Sequence, residues 1–291
     1  MNYTLKDAIL YFAIGFITSL VIGYPSYRRK CVTRDGFIVS LFIGSIIFMT
    51  GWQTYLILLF FFISSTILTK WKADIKKQYE FKLDISGRNW KQAIGASAGT
   101  ILLSLILIFS LIFVHYKKIL SSLFIGLVST IAVSNADTWA VEVGALSKTK
   151  PRLITKPWIV VDKGVSGGVT LLGEFASILG SFTIASISTI LYLLSGRYSL
   201  STWYMIDISP SKLFITVFLA GWVGEILDSI IGANLQVKYF CSQCNKYTDR
   251  EVHRCGSKTK YISGLKYVKN ETVNLIVTSL IGFTVSFLML L

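Results

Sequence analysis

The chain is 291 residues long, 53% hydrophobic and only 15% charged, with a mean hydropathy of +0.62, whereas a soluble globular chain carries about a quarter charged residues. Its apolar content falls in blocks of membrane-spanning length, which excludes a soluble domain with one large core and defines an all-α, polytopic membrane protein. The formal charge of +14 would suit a nucleic-acid binder, but there is no basic soluble module to carry that role, which argues against nucleic acid as a partner.

The opening stretch, MNYTLKDAILYFAIGFITSLVIGYPSYRRK, has no basic segment ahead of its apolar part and no small-residue cleavage site behind it. It is expected to stay as a first helix rather than act as a signal peptide. Spans are predicted near 8–24, 37–50, 52–69, 93–114, 119–136, 169–194, 212–235 and 272–291. Residues 37–69 as one helix would run about 50 Å, too long for a ~30 Å hydrocarbon core, so they are divided at the TGW of 50–52. With eight spans, one side of the membrane receives Lys6, Lys117, Lys118, Arg197 and Lys212, and the opposite side receives the other 24 of the 29 basic residues. That asymmetry fits the positive-inside rule and places the basic connections in the cytoplasm and both termini outside. Merging the second and third spans would invert every later loop and destroy it. The alternative role for any single lysine is contact with anionic lipid headgroups. Residues 1–291 are read as one integral membrane domain.

Four cytoplasmic segments result. The first is short and basic, YRRKCVTRDG. The second, KWKADIKKQYEFKLDISGRNWKQ, has the length for an interfacial amphipathic helix. The third begins where Asp137 closes a span and continues through Arg152, Lys156 and Lys163 into GVSGGVTLLG. A glycine-rich turn that leads into a helix N-terminus offers backbone N–H groups and a positive helix end, which suits a phosphate. Gly167 and Gly168 permit close backbone approach, and Ser166 and Thr170 add hydroxyl donors. The competing role for these glycines, and the one favoured for Gly173 and Gly180, is tight helix packing.

In the next span, GWVGEILDSIIGANLQ places Glu225 and Asp228 three residues apart, on one helix face where two carboxylates can hold Mg²⁺. An ionised acid at membrane depth costs several kcal/mol unless paired, so it is functional by default. The alternatives are an ion pair with a neighbouring arginine or lysine, or a proton or cation pathway. Asp137 and Asp228, at the same end of separate helices, would form a metal site open to phosphate ligands, with Glu142 or Glu225 assisting. Glu142, five residues after Asp137, faces elsewhere on a continuous helix.

The fourth segment, 236–271, contains CSQCNKYTDREVHRC. Cys241, Cys244, His253 and Cys255 give four N/S donors with a Cys-x2-Cys knuckle, the pattern of a closed structural zinc site. Thiols facing a reducing cytosol argue against disulfides. Cys31 stands alone and is read as inert. Ahead of the last span, Asn270 is a candidate N-cap with Glu271 in the first turn, and a ligand-binding role for Asn270, Glu271 and Asn274 is the alternative.

SNADTWAVEVGALSKTKPRLIT, GVSGGVTLLGEFAS, GEILDSIIGANLQ and KNETVNLI, with weaker matches at FFFISSTILTKWK and GRNWKQ, resemble a known family of membrane proteins. It includes the transmembrane protein nineteen group and the plant phytyl-phosphate kinase. The resemblance implies a polytopic lipid-phosphate kinase that transfers a phosphoryl group from a nucleoside triphosphate, CTP being one candidate, to an isoprenyl monophosphate. Carried over position by position, Asp137, Glu142, Ser166, Gly167, Gly168, Asp228 and Asn274 match its recurrent polar and glycine positions. Lys163 stands where members commonly have proline before the Gly-x-Ser-Gly-Gly turn. The competing functions are a lipid-phosphate transporter or flippase, which requires a polar route across the membrane, and a non-catalytic scaffold that recruits a partner through the knuckle.

Overall fold

The computed structural model of the protein describes residues 3–77, 87–195, 202–248, 250–253 and 255–291. Its helices are α1 (Leu5–Arg28), α2 (Arg34–Phe48), α3 (Trp52–Lys70), α4 (Ala73–Lys77), α5 (Trp90–Phe113), α6 (Lys117–Gly144), α7 (Leu171–Ser195), α8 (Pro210–Leu235) and α9 (Asn270–Leu290). Seven of them have the length and apolarity to cross a membrane, and α2, with 15 residues, is the short companion that brings the set close to the expected eight.

The division between α2 and α3 is real. Gly51 sits at φ 130°, and a Cβ there would press on Trp203 and Thr202, so a side chain is excluded on both backbone and packing grounds. Short polar side chains set other helix starts. Thr33 accepts from Gly36 N, and Asn89 and Gln92 form a reciprocal capping box at α5. Asn270, a candidate cap for α9, is instead its first helical residue, preceded by Lys269 at the cap; Glu271 lies in the first turn as expected.

The bundle is built around α6, whose residues Leu120 to Ala136 are all buried. Helices α3, α5, α7, α8 and α9 pack directly on it, and α1 joins the bundle mainly through α2. Lipid supplies no hydrophobic force between spans, so small residues and hydroxyls hold them. Thr100 and Thr130 hydroxyls meet at 2.8 Å, Ser134 donates to Ala96 O at 2.7 Å, and the Asn135 amide donates to Gly180 O at 2.8 Å. Twenty residues of helix from Lys117 cover ~30 Å, so Asp137 to Gly144 extend α6 past the thickness of a hydrocarbon core.

The connections add strands that hydropathy did not reveal. Between α6 and α7, β1 (Arg152–Leu153), β2 (Lys156–Val160) and β3 (Gly168–Val169) form an antiparallel sheet in the order β2-β1-β3. Between α8 and α9, β4 (Lys238–Cys241), β5 (Lys246–Thr248) and β6 (Lys260–Ser263) form a second, ordered β5-β4-β6. Strands of two to five residues are too short for alternation to stand out. The interfacial helix expected between α3 and α5 corresponds to α4, and the rest of that stretch, 78–86, lies outside the described residues.

A carboxylate-lined cavity beside a cysteine–histidine centre

All four basic connections converge at one end of the bundle, where they line a cavity of about 1080 Å³. Asp137 reaches it from α6, Glu174 from α7, Glu225 and Asp228 from α8, and Asn274 from α9. Glu225 is 2% exposed, and its two oxygens accept from Ser177 Oγ at 3.3 Å and Ser229 Oγ at 3.2 Å. Asp137, Glu225 and Asp228 lie within electrostatic reach of one another. With its amide nitrogen turned toward α8, Asn274 donates to Asp228 Oδ2 at 3.2 Å and to Asn270 O at 3.0 Å. The cations stand outward of these acids: Arg29, Lys30, Lys70, Lys148, Lys150 and Lys246 are exposed and line the same cavity. The result is an acidic floor beneath a basic rim.

Arg88 joins the two. It precedes α5, is held by Arg88 N donating to Cys31 O at 3.0 Å and by Thr33 N donating to Arg88 O at 3.1 Å, and lines the cavity. Burial lowers its guanidinium from the ordinary value while the charges of Glu142 and Asp137 oppose that shift. Nothing in the local sequence separated Arg88 from the other basic residues of its connection.

The glycine-rich turn also borders the cavity, through Lys163 and residues 164–170. Val165 N donates to Asp162 O at 3.3 Å and Gly168 N to Val165 O at 3.0 Å, giving two successive turns. Gly167, at φ +77°, packs so closely on α8 that a Cβ would strike Ala233 and Ser229 O. The turn does not run straight into the helix, because β3 intervenes and Thr170 caps α7, its Oγ1 accepting from Gly173 N at 3.1 Å. Ser166 Oγ donates to Gln236 Oε1 at 2.9 Å, tying the turn to the end of α8. Lys163 Nζ donates to Ala145 O at 3.2 Å and Ser147 O at 2.6 Å, which suits a cation at the C-terminus of α6. Arg152 and Lys156 fall elsewhere. Arg152 Nη1 donates to Pro157 O at 2.8 Å, Lys156 is exposed on β2, and neither lines the cavity.

Glu142 has specific partners. Because α6 runs unbroken to Gly144, its carboxylate turns toward α3 and α4, where Lys76 Nζ lies 2.6 Å away and Thr69 Oγ1 donates at 2.6 Å. Lys76 also donates to Leu68 O at 2.6 Å and its side chain is fully buried. Glu174 was missed at the sequence level, although the rule that singles out acids at membrane depth applies to it as it does to Glu225.

Beside the cavity, Cys241 ends β4, Cys244 lies on the β4–β5 turn, and His253 and Cys255 follow β5; their donor atoms all fall within 4.8 Å of one another. Zinc–sulfur bonds of ~2.3 Å set sulfur pairs of a tetrahedron ~3.8 Å apart; the Cys241 and Cys255 sulfurs are 3.7 Å apart. Hydrogen bonds from Ser257 and His253 pull the Cys255 thiol down to about 6, and donation to Cys255 pushes Cys244 up to about 11. The cluster can therefore hold a metal ion, and its donor chemistry fits zinc. Among the described residues no carboxylate group achieves such closure.

Fold and site together define a polytopic helical membrane protein whose spans end around a polar, charge-lined chamber. The chain belongs to the DUF92 family of integral membrane proteins, whose family model matches residues 17–282. Protein PGR of Arabidopsis thaliana is 32% identical over 291 residues, covering 95% of each chain. The membrane protein MJ0933 of Methanocaldococcus jannaschii is 28% identical over 82% of this chain and 89% of its own. Protein VTE6, chloroplastic, of Arabidopsis thaliana is 24% identical over 92% of this chain and 68% of its own. No solved structure matches the chain.

Proposed function

We propose that the protein is a membrane phosphotransferase that moves a phosphoryl group from a nucleoside triphosphate to an isoprenyl monophosphate, yielding the diphosphate. The observation that carries this reading is the cavity with half-buried carboxylates from three helices below and five exposed lysines and Arg29 above. That polarity suits a metal–nucleotide complex, whose metal seeks carboxylate oxygens while its phosphates seek cations. The donor set fits Mg²⁺, a hard ion that keeps waters and shares its shell with phosphate oxygens rather than demanding a closed protein cage. Asp137 and Asp228 would hold it, with Glu225 and Glu174 adding negative potential, and the bound ion would neutralise charge on the β- and γ-phosphates.

The remaining roles belong to the chain itself. Arg88, Lys163 and the 164–170 turn orient phosphates, and Asn274 fixes the Asp228 carboxylate through its amide. We assign Glu142 a positioning role: by holding Lys76 and Thr69 it anchors the corner from α3 into α4 next to Asp137. The acceptor phosphate oxygen forms the new bond to the γ-phosphorus as the bridging oxygen departs with its electron pair on the nucleoside diphosphate. A phosphate acceptor is already nucleophilic, so alignment and electrostatics supply the rate and no strong base is needed. The prenyl tail stays in the bilayer. By the charge asymmetry of the connections, the cavity opens to the cytoplasm.

A transporter would need a polar passage along the bundle axis. In the central helix α6, Leu120, Phe124, Leu127 and Val128 are fully buried and apolar among its buried hydroxyls, which supports catalysis over transport. The test is to incubate the purified protein in lipid with Mg²⁺, labelled CTP or ATP, and geranylgeranyl or phytyl monophosphate. Labelled diphosphate is the expected product. No product with either nucleotide, together with headgroup movement across liposomes, overturns the reading.

A further inference from the structure

The segment that carries the cysteine–histidine centre is also part of the cavity wall. Cys244, Asn245, Lys246, Tyr247 and Thr248 all line the cavity, so one of the four metal donors and the entire β5 strand face it. The base of this segment is well anchored. Val237 N donates to Val268 O at 3.0 Å, Leu265 N donates to Leu235 O at 2.9 Å, and Lys238 Nζ donates to Ala233 O at 2.6 Å. Among the described residues its outer part has only thin packing, chiefly the ring pairs Phe240–Tyr247 and Tyr239–Tyr261 across the strands. β6 is exposed along its whole length and β5 along most of it, and the buried side chains reduce to a few, among them Val237, Tyr239, Cys241 and His253. A segment of this size without an apolar core depends on a metal or another cross-link for its shape.

We infer that the cysteine–histidine centre is a working part of the phosphate site: bound zinc fixes the β4–β5 hairpin as a cavity wall and thereby presents Lys246 to the phosphates of the nucleotide. This rests on the reading of the cavity as a nucleotide-phosphate site. The placement of Lys246 is what distinguishes it from a remote structural metal. Lys246 is the first residue of β5, two positions past Cys244, it pairs with Cys241 across the hairpin, and its side chain is exposed on the cavity side. Two of the four metal donors therefore bracket the backbone that carries this cation. Four protein donors leave zinc no open position, so it acts through shape and not as a Lewis acid.

The experiment uses the full-length protein in lipid nanodiscs, with zinc measured by elemental analysis before and after treatment with a strong chelator. Three readouts are followed: affinity for Mg²⁺ with non-hydrolysable CTP and ATP analogues, tryptic cleavage at Lys246 and Arg250, and the alkylation rate of Cys31, a cavity-lining cysteine outside the cluster. Loss of zinc is expected to weaken nucleotide affinity at least tenfold, to expose the hairpin to trypsin and to speed Cys31 alkylation several-fold, all reversed by added zinc. K246Q, which lacks one of the two cleavage sites, is expected to keep its zinc and its resistance to trypsin at Arg250 while losing about tenfold in affinity. Zinc-free protein that binds the analogues within twofold of the loaded form overturns the inference, and K246Q with unchanged affinity overturns the assignment of Lys246. If the zinc-loaded protein binds neither analogue, the kinase reading fails, and the wall is then judged on Cys31 alone: an alkylation rate that ignores zinc overturns it too.

Discussion

The carboxylate floor and the cysteine–histidine hairpin share one cavity but are held in place by opposite means. The floor acids project from helices locked by close backbone approach and hydroxyl contacts. A Cβ at Gly221 or Gly224 would strike Ser181 and Ala132 or Val133, and Glu225 is already satisfied by Ser177 and Ser229. Such packing ties the floor acids to the bundle itself. The hairpin has four donors and a backbone ladder where the floor has a packed interior. Rigid acids can aim a metal–phosphate complex, whereas a wall that depends on an ion can be lost without unfolding the bundle.

The contrast breaks most easily at the floor. Asp137→Asn and Asp228→Asn remove the charge proposed to hold Mg²⁺ while keeping shape, and each is expected to cut turnover at least a thousandfold, about 4 kcal/mol of transition-state stabilisation, with the thermal transition of the bundle unmoved. Product formation under saturating nucleotide checks this, and full activity in both variants would remove these acids from the site. Next in size is Lys76→Met. It takes from Glu142 its ion-pair partner, leaving Thr69 as a donor, and is expected to cost about 2–3 kcal/mol of stability, at or below the lower end of the scale for a buried pair broken on one side. The thermal midpoint in detergent measures it. Recovery in the double variant Lys76→Met with Glu142→Leu would show that the pair positions the corner and supplies no catalytic charge.

What could be read from the sequence follows the distance over which each feature is encoded. The spans and the break at Gly51 are written in runs of adjacent residues, and the Cys-x2-Cys knuckle and its nearby His253 and Cys255 occupy 15 positions. Glu225 and Asp228 were recognisable because helical spacing puts them on one face. The partner of Glu142 lies 66 residues away on a five-residue helix, and no periodicity marks it. Arg88 is one cation among many until the fold turns it toward Asp137, and Arg152 and Lys156 appeared to belong with the glycine turn because they are near it in sequence. The small sheet takes them away from the cavity, Arg152 on its central strand β1 and Lys156 on the edge strand β2. Thr170 illustrates the same limit at close range: its Oγ1 caps α7 by accepting from Gly173 N, a role the sequence does not mark, while the residue still lines the cavity.

Two smaller effects sharpen the comparison. Arg88→Lys keeps the charge but loses the planar fork, and is expected to lower kcat/KM about tenfold, or 1.4 kcal/mol, with little change in stability. An equal loss from Arg88→Lys and Arg88→Ala would mean that fork geometry, not charge, is what the phosphates read. The smallest effect lies in the bundle interior. Thr100→Val removes the hydroxyl that meets Thr130 at 2.8 Å between α5 and α6, while Thr130 keeps a second partner by donating to Leu127 O at 2.7 Å. Hydrogen bonds between spans average only ~0.6 kcal/mol, because the polar groups find partners within their own helices. Thr100→Val is therefore expected to shift the thermal midpoint slightly and to leave turnover and zinc content alone. A loss above about 2 kcal/mol would show that the polar seam, and not the close approach of small residues, holds α5 on α6, and the carboxylate floor would then rest on the same kind of directional contacts as the hairpin.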